Sequence, residues 1–145
     1  MKYSSHDVMS PLLTPQQSCG QCHTNVAEVL VRVQTIQDEV HAAKLATEDA
    51  LIDAISALKA AVARPGADPT LLEAARQLHR RAQFMWDFVS TANSTGFHNP
   101  EEALRLLRTA TDLARQMQMV ASQAAKDPSL LKTGVYDNLN PPPIP

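Results

Sequence analysis

From Thr24 to Arg64 the chain contains neither glycine nor proline. Those two residues punctuate a backbone more strongly than any others, so an unbroken run of this length leaves few alternatives to one continuous helix. The apolar residues agree. Val26, Val29, Val33, Ile36, Val40 and Ala43, then Leu51, Ile55, Leu58 and Val62, fall on one stripe through steps of three and four. A helix over 24–63 would be about 60 Å long, and a helix of that length needs a partner surface along most of it. Composition supports helix over sheet: aromatics are only 4% and glycines number four. Alanine, leucine and glutamine are plentiful, while runs of β-branched and aromatic residues are missing.

Arg64-Pro65-Gly66-Ala67 breaks the run. Asp68 then stands where an N-cap belongs, with Pro69 at the first helical position. Leu71, Ala75, Leu78, Ala82, Met85 and Val89 follow in heptad spacing and predict a helix over 69–92. Asn93-Ser94-Thr95-Gly96 reads as a turn. Asn99-Pro100-Glu101-Glu102 opens a third helix over 100–126, with two carboxylates at the positive end of its dipole. The stripe of that helix is Ala103, Leu107, Ala110, Ala114, Met117, Ala121 and Ala124. Asp127-Pro128 ends it, and 127–145 reads as a proline-rich, loosely held tail. The expected fold is all-α: three long antiparallel helices in an elongated bundle, with small residues permitting close approach. Three helices alone leave one side of the longest poorly covered, which predicts self-association or docking onto a larger body.

Residues 1–23 read as an extended lead-in ending in Cys19-Gly20-Gln21-Cys22-His23. C-x-x-C-H is the attachment pattern of c-type haem. Two thiols add across the two porphyrin vinyl groups, and the adjacent imidazole binds the iron from one face. A single tight turn must therefore present two sulfurs and one nitrogen to one rigid ring. Both cysteines of the chain are used, so a disulfide network is excluded. Two rivals stand beside this reading. A thioredoxin-like thiol pair wants a βαβ context, which is absent, and has no need of His23. A Cys₂His₂ zinc clip would recruit His6.

His98 lies on the turn between the second and third helices. A loop histidine is by default solvated, but Gly96 permits a tight backbone, Phe97 offers an apolar wall and Asn99-Pro100 fixes the next helix. A histidine held in that way suits an axial iron ligand. His6 alone reads as a terminal solvated residue, and His41 and His79 as surface or interface positions. Arg76, Arg80 and Arg81 form either a solvated face or a cluster for haem propionates. Trp86, Asp87 and Phe88 are expected to pack, with Trp86 as anchor. No residue set has the spacing of a catalytic triad and no phosphate loop is present, so no catalytic residue is assigned.

Thirteen basic and fifteen acidic residues give a net charge of −2, which offers no field to gather nucleic acid. No apolar stretch reaches the length of a membrane span. The start, Met1-Lys2-Tyr3-Ser4-Ser5-His6-Asp7, lacks the apolar core of a secretory signal. Covalent haem attachment takes place outside the cytosol, so either an export signal has been removed or the chain is a piece of a longer exported protein, and the piece is the expectation.

Four segments together resemble the C-terminal third of the pentahaem, ammonia-forming cytochrome c nitrite reductases (the cytochrome c-552 family). They are His6-Asp7-Val8-Met9-Ser10-Pro11-Leu12, the Cys19–His23 motif, Arg80-Arg81-Ala82-Gln83-Phe84-Met85-Trp86-Asp87-Phe88-Val89, and Asn93-Ser94-Thr95-Gly96-Phe97-His98-Asn99-Pro100. Order and distance fit as well: His6 lies 13 residues before Cys19, and His98 lies 75 after His23. The likeness covers about residues 5 to 126. It implies that Cys19 and Cys22 attach the last haem of the series, with His23 as proximal ligand. His6 would be the distal ligand of the second haem and His98 of the fourth, both attached to upstream sequence.

The resemblance further implies homodimers formed through the long helices, a periplasmic location and contact with an upstream haem domain of the same protein. Electrons would come from a membrane-associated, quinol-oxidising cytochrome partner, without direct membrane insertion by this chain. The family's lysine-ligated substrate haem, its active-site Arg, Tyr and His, and its calcium site have no counterpart here. Ala92 stands where a glutamate is common. The chain alone is therefore expected not to reduce nitrite. Outside the family, the alternatives are a stand-alone monohaem cytochrome ligated by its own His6 or His98, and a helical interaction module with a metal clip.

Overall fold

Asn25 opens the longest helix by a reciprocal cap. Its Oδ1 accepts from the Glu28 N–H at 3.2 Å while its Nδ2 donates to Glu28 Oε2 at 3.1 Å. In the computed structural model, which describes residues 9–132, this helix, α2, runs Val26–Val62. A one-turn helix, α1 (Pro15–Ser18), precedes it, and α3 (Pro69–Ser90) and α4 (Pro100–Ala125) follow. Asp68 caps α3 by accepting from the N–H groups of Thr70 and Leu71 at 2.8 and 3.2 Å. Asn99 caps α4 through Glu102 N–H at 3.2 Å. The architecture is all-helical, with no strand among the described residues.

Consecutive helices run antiparallel, so α2 and α4 are parallel to each other. Thr47 on α2 donates to the Leu107 carbonyl of α4 at 3.2 Å and receives a bond from Thr111 at 3.0 Å. One turn and a half further on, Arg115 reaches Asp53 at 2.8 Å. This register makes α2 and α4 end together. There the Asp68 N–H bonds the Ala124 carbonyl at 3.1 Å and Arg64 pairs with Asp127. Since α2 has 37 residues and α4 has 26, the excess of 11 (37 − 26) falls at the N-terminal end of α2. The overhang is about 16 Å.

The core is built mainly from alanine: Ala50, Ala54, Ala57 and Ala61 on α2, Ala75 and Ala82 on α3, and Ala110, Ala114, Ala121 and Ala124 on α4 are all buried. Leu107, Met117, Val40 and Thr47 are the largest fully enclosed side chains. The α4 stripe read from sequence is buried throughout. On α2 the stripe shifts in its second half. Ala50, Leu51, Ala54, Ala57 and Ala61 face inward, while Ile55 and Leu58 pack at the edge and Val62 is exposed. Close helix approach selects the small residues, because a β-branched or long side chain would hold the backbones apart.

Three expectations require correction. The part of the lead-in within the described residues is not extended: Pro11–Leu13 forms a 3₁₀ turn and Pro15–Ser18 a helical turn, with Pro at the first position of each; residues 1–8 lie outside the described residues. Proline pre-sets the helical φ there and its missing N–H costs nothing. The part of the tail within the described residues also folds. Pro128–Leu131 is a 3₁₀ turn; its Leu130 carbonyl and that of Lys132 just after it accept from Gln118 at 3.0 Å each. Residues 133–145 lie outside the described residues. Phe88 and Asp87 do not pack. Phe88 is 58% exposed and Phe84 69%, their rings 6.4 Å apart. Trp86 alone anchors, half-buried, donating Nε1 to the Lys44 carbonyl at 3.3 Å under the Lys44 ammonium.

Candidate haem-attachment site

The α1 turn leads directly into the cysteine motif. Cys19 and Gly20 donate their N–H groups to the Pro15 carbonyl at 2.8 and 3.1 Å, and Cys22 and His23 donate theirs to the Cys19 carbonyl at 3.1 and 2.9 Å. The five motif residues thus form one closed helical turn. Gly20 is required by contact rather than by dihedral angle: a Cβ there would lie 2.5 Å from the Gln16 carbonyl oxygen. Both thiols are free, Cys19 half-buried and Cys22 exposed.

Cys22 and His23 open onto a cleft of about 480 Å³, within the range that holds cofactors. The overhang of α2 makes one wall, through Asn25, Glu28, Val29 and Arg32 on a single face, and Phe97 closes the side. The loop after α3 carries Phe97 there. Gln37 donates to the Ser94 carbonyl at 3.0 Å, and Gly96, at φ +81°, lies against Val40 so closely that a Cβ would meet Cγ2 at 2.6 Å. Thr95 is also left-handed, at φ +50°. Two such residues in succession turn the loop sharply.

His98 follows Phe97, with ring centroids 5.9 Å apart, yet faces elsewhere. It lines a second cleft of about 500 Å³ with Phe88, Val89, Ala92, Ala103 and Leu106. The fold therefore does not bring His98 to Cys19, Cys22 and His23. His6 lies outside the described residues. Arg76 and Arg80 reach Glu73 at 3.7 and 2.8 Å on α3, and with Arg81 they line neither cleft. Neither Val29 nor Arg32 stands out as a site residue in the sequence. The signal that finds them is the one-face spacing 25, 28, 29, 32 continuing directly from the motif.

The residue types of the turn suit haem c. Among the described residues no three His, Cys, Asp or Glu side chains converge to hold a metal, and the His6 that a zinc clip would recruit lies outside them. A porphyrin instead takes two sulfurs at its periphery and a nitrogen at its centre. The exposed Cys22 thiol and the His23 imidazole stand beside a cleft walled by Val29 and Phe97; the second thiol, Cys19, sits on the same turn without lining that cleft. No helix of the described residues is long and apolar enough to cross a membrane.

Comparison with known proteins gives the family. Residues 1–142 match the cytochrome c552 family. The chain is 33% identical over 132 residues to the cytochrome c nitrite reductase subunit NrfA of Nitratidesulfovibrio vulgaris, covering 86% of this chain and 25% of that one. It superposes with a TM-score of 0.77 and 30% identity on the cytochrome c nitrite reductase catalytic subunit of Desulfovibrio desulfuricans, a structure described for its two calcium sites. That match covers 86% of this chain and 28% of the other. The chain spans about a quarter of the length of these relatives. With the family matched over nearly its whole length, the chain belongs to the cytochrome c552 family and corresponds to a region of a cytochrome c nitrite reductase.

Proposed function

We propose that this chain is the haem-binding, dimerising C-terminal portion of a periplasmic, ammonia-forming cytochrome c nitrite reductase, carrying electrons toward nitrite rather than reducing it. Cys19 and Cys22 would hold one haem c by thioether bonds. Each S–H adds across a vinyl C=C, sulfur bonding one carbon and hydrogen the other, with no net oxidant consumed. His23 would be the proximal iron ligand. The haem supplies a one-electron iron couple; the chain's own residues orient it and exclude water from one face.

The observation that carries this reading is the closed Cys19–His23 turn opening onto a cleft made by the α2 overhang and Phe97. His98, in the neighbouring cleft, would ligate a haem attached elsewhere in the full protein, as His6 would another. The exposed flank of the bundle, including Phe84 and Phe88, supports packing against a second copy or the upstream haem domain. A membrane-associated quinol-oxidising cytochrome would deliver the electrons.

The test is expression with the haem-attachment machinery. The expected product has a Soret band and keeps its haem after denaturation, and Cys19→Ser or Cys22→Ser weakens that retention. Absence of any covalent adduct in the unaltered chain would overturn the assignment.

A further inference from the structure

We propose that Arg32 anchors a propionate of the haem held at Cys19 and Cys22, an assignment that rests on the attachment reading above. The argument begins with the ring. Haem carries its vinyl groups along one edge and its two propionates along the opposite edge. Thioether bonds to the turn fix the vinyl edge at the motif, so the carboxylates belong at the far end of the cleft. The cleft has such an end. From Cys22 and His23 its lining climbs one face of α2 through Asn25, Glu28 and Val29 to Arg32. Arg32 lies seven residues beyond Asn25, about 10 Å along the helix axis. That distance is on the order of the width of a porphyrin.

Charge supports the placement. A carboxylate taken partly out of water needs a cation, and the planar guanidinium fork matches it best. Arg32 is the cationic side chain lining this cleft. Five other arginines are engaged: Arg64 with Asp127, Arg76 and Arg80 with Glu73, Arg105 with Glu102, and Arg115 with Asp53. Arg32 has no carboxylate partner among the described residues, although Glu28 stands one turn below it. The Asn25 amide holds the Glu28 carboxylate at the helix start, 3.1 Å away. The fold thus leaves one guanidinium uncommitted at the end of the cleft where the chemistry asks for one.

The haem-loaded full chain tests this by spectroelectrochemical titration. Reduction adds an electron to the iron, so a nearby cation favours the reduced form and its removal lowers the midpoint potential. Arg32→Gln is expected to form the covalent adduct normally, because Arg and Gln have similar helix propensity. Its redox equilibrium should shift about tenfold toward the oxidised form, about 59 mV for a one-electron couple. Arg32→Lys should recover most of that shift, and Arg81→Gln, on an arginine that lines neither cleft, should leave the potential unmoved. An Arg32→Gln holoprotein with the parental potential overturns the assignment, as does an equal shift from Arg81→Gln. Failure of the unaltered chain to attach haem overturns the attachment reading and Arg32 with it, so the two failures are distinguishable.

Discussion

Replacing Gly96 by alanine probes the contact that sets the loop between the two clefts. Gly96 is buried with φ +81°, a region where a Cβ costs about 1–2 kcal/mol. The new methyl would also lie 2.6 Å from Val40 Cγ2 and 3.0 Å from Cγ1. Val40 cannot yield cheaply, because it is fully enclosed against Val89, Ala103 and Leu107. Overpacking of that kind costs about 1–3 kcal/mol, so Gly96→Ala should destabilise the bundle by about 2–5 kcal/mol in total. Chemical denaturation followed by far-UV circular dichroism measures the loss. Val40→Ala in the same chain removes the clashing methyls but not the φ penalty, so a double-mutant cycle should show about 0.5–3 kcal/mol of favourable coupling. A Gly96→Ala protein within about 0.5 kcal/mol of the parent would refute the reasoning, as would the absence of coupling.

Gly20→Ala would push a Cβ against the Gln16 carbonyl; it should open the attachment turn, and a parental yield of covalent haem would contradict that. Arg115→Met takes the guanidinium from Asp53, whose side chain is 4% exposed against 40% for Arg115, and should cost about 1.5–3 kcal/mol, the range for a hydrogen bond to a charged group. Denaturant midpoints would show it. Asp127 has its carboxyl held below the usual value near 3.8, first by the Ser129 hydroxyl, then by the Ser129 N–H and Arg64. Its contribution is complete above that value and is lost as pH falls through the lowered one. The stability gap between the parent and Asp127→Asn should therefore close on acidification, and a gap constant into strong acid would exclude the effect. His98→Ala should leave the visible spectrum of a haem attached at Cys19 and Cys22 unchanged, because His98 faces the other cleft; a changed spectrum would restore self-ligation.

Much of the site is legible locally. The C-x-x-C-H spacing needs only one turn, and hydrogen bonds to the Pro15 and Cys19 carbonyls supply it. Proline at the first turn, read as a sign of extended chain near residue 11, starts helical turns instead, since local propensity there was set by Ser10 and the bonds that follow it. Phe88 misleads for a different reason. An aromatic in a helix usually packs, but position 88 lies outside the seam formed by Ala75, Ala82 and Val89. Arg32 carries a single faint mark, its place on the face 25, 28, 29, 32 that continues from the motif, and only the structure makes that face a cleft wall.

The sequence by itself determined three long helices, the caps of the second and third, the haem motif and the family likeness. Each of these depends on neighbours within a turn or two, or on the order of motifs along the chain. Only the tertiary structure decided the register of α2 against α4, fixed by the Thr47–Leu107 and Asp53–Arg115 contacts across about sixty residues. Alanine packing lets those backbones approach and sets where the helices end together. The unmatched turns of α2 then fall beside Cys22 and His23, and Phe97 and His98 are sent into separate clefts. No periodicity could announce this, because it follows from a difference in helix length that has meaning only once the helices are side by side.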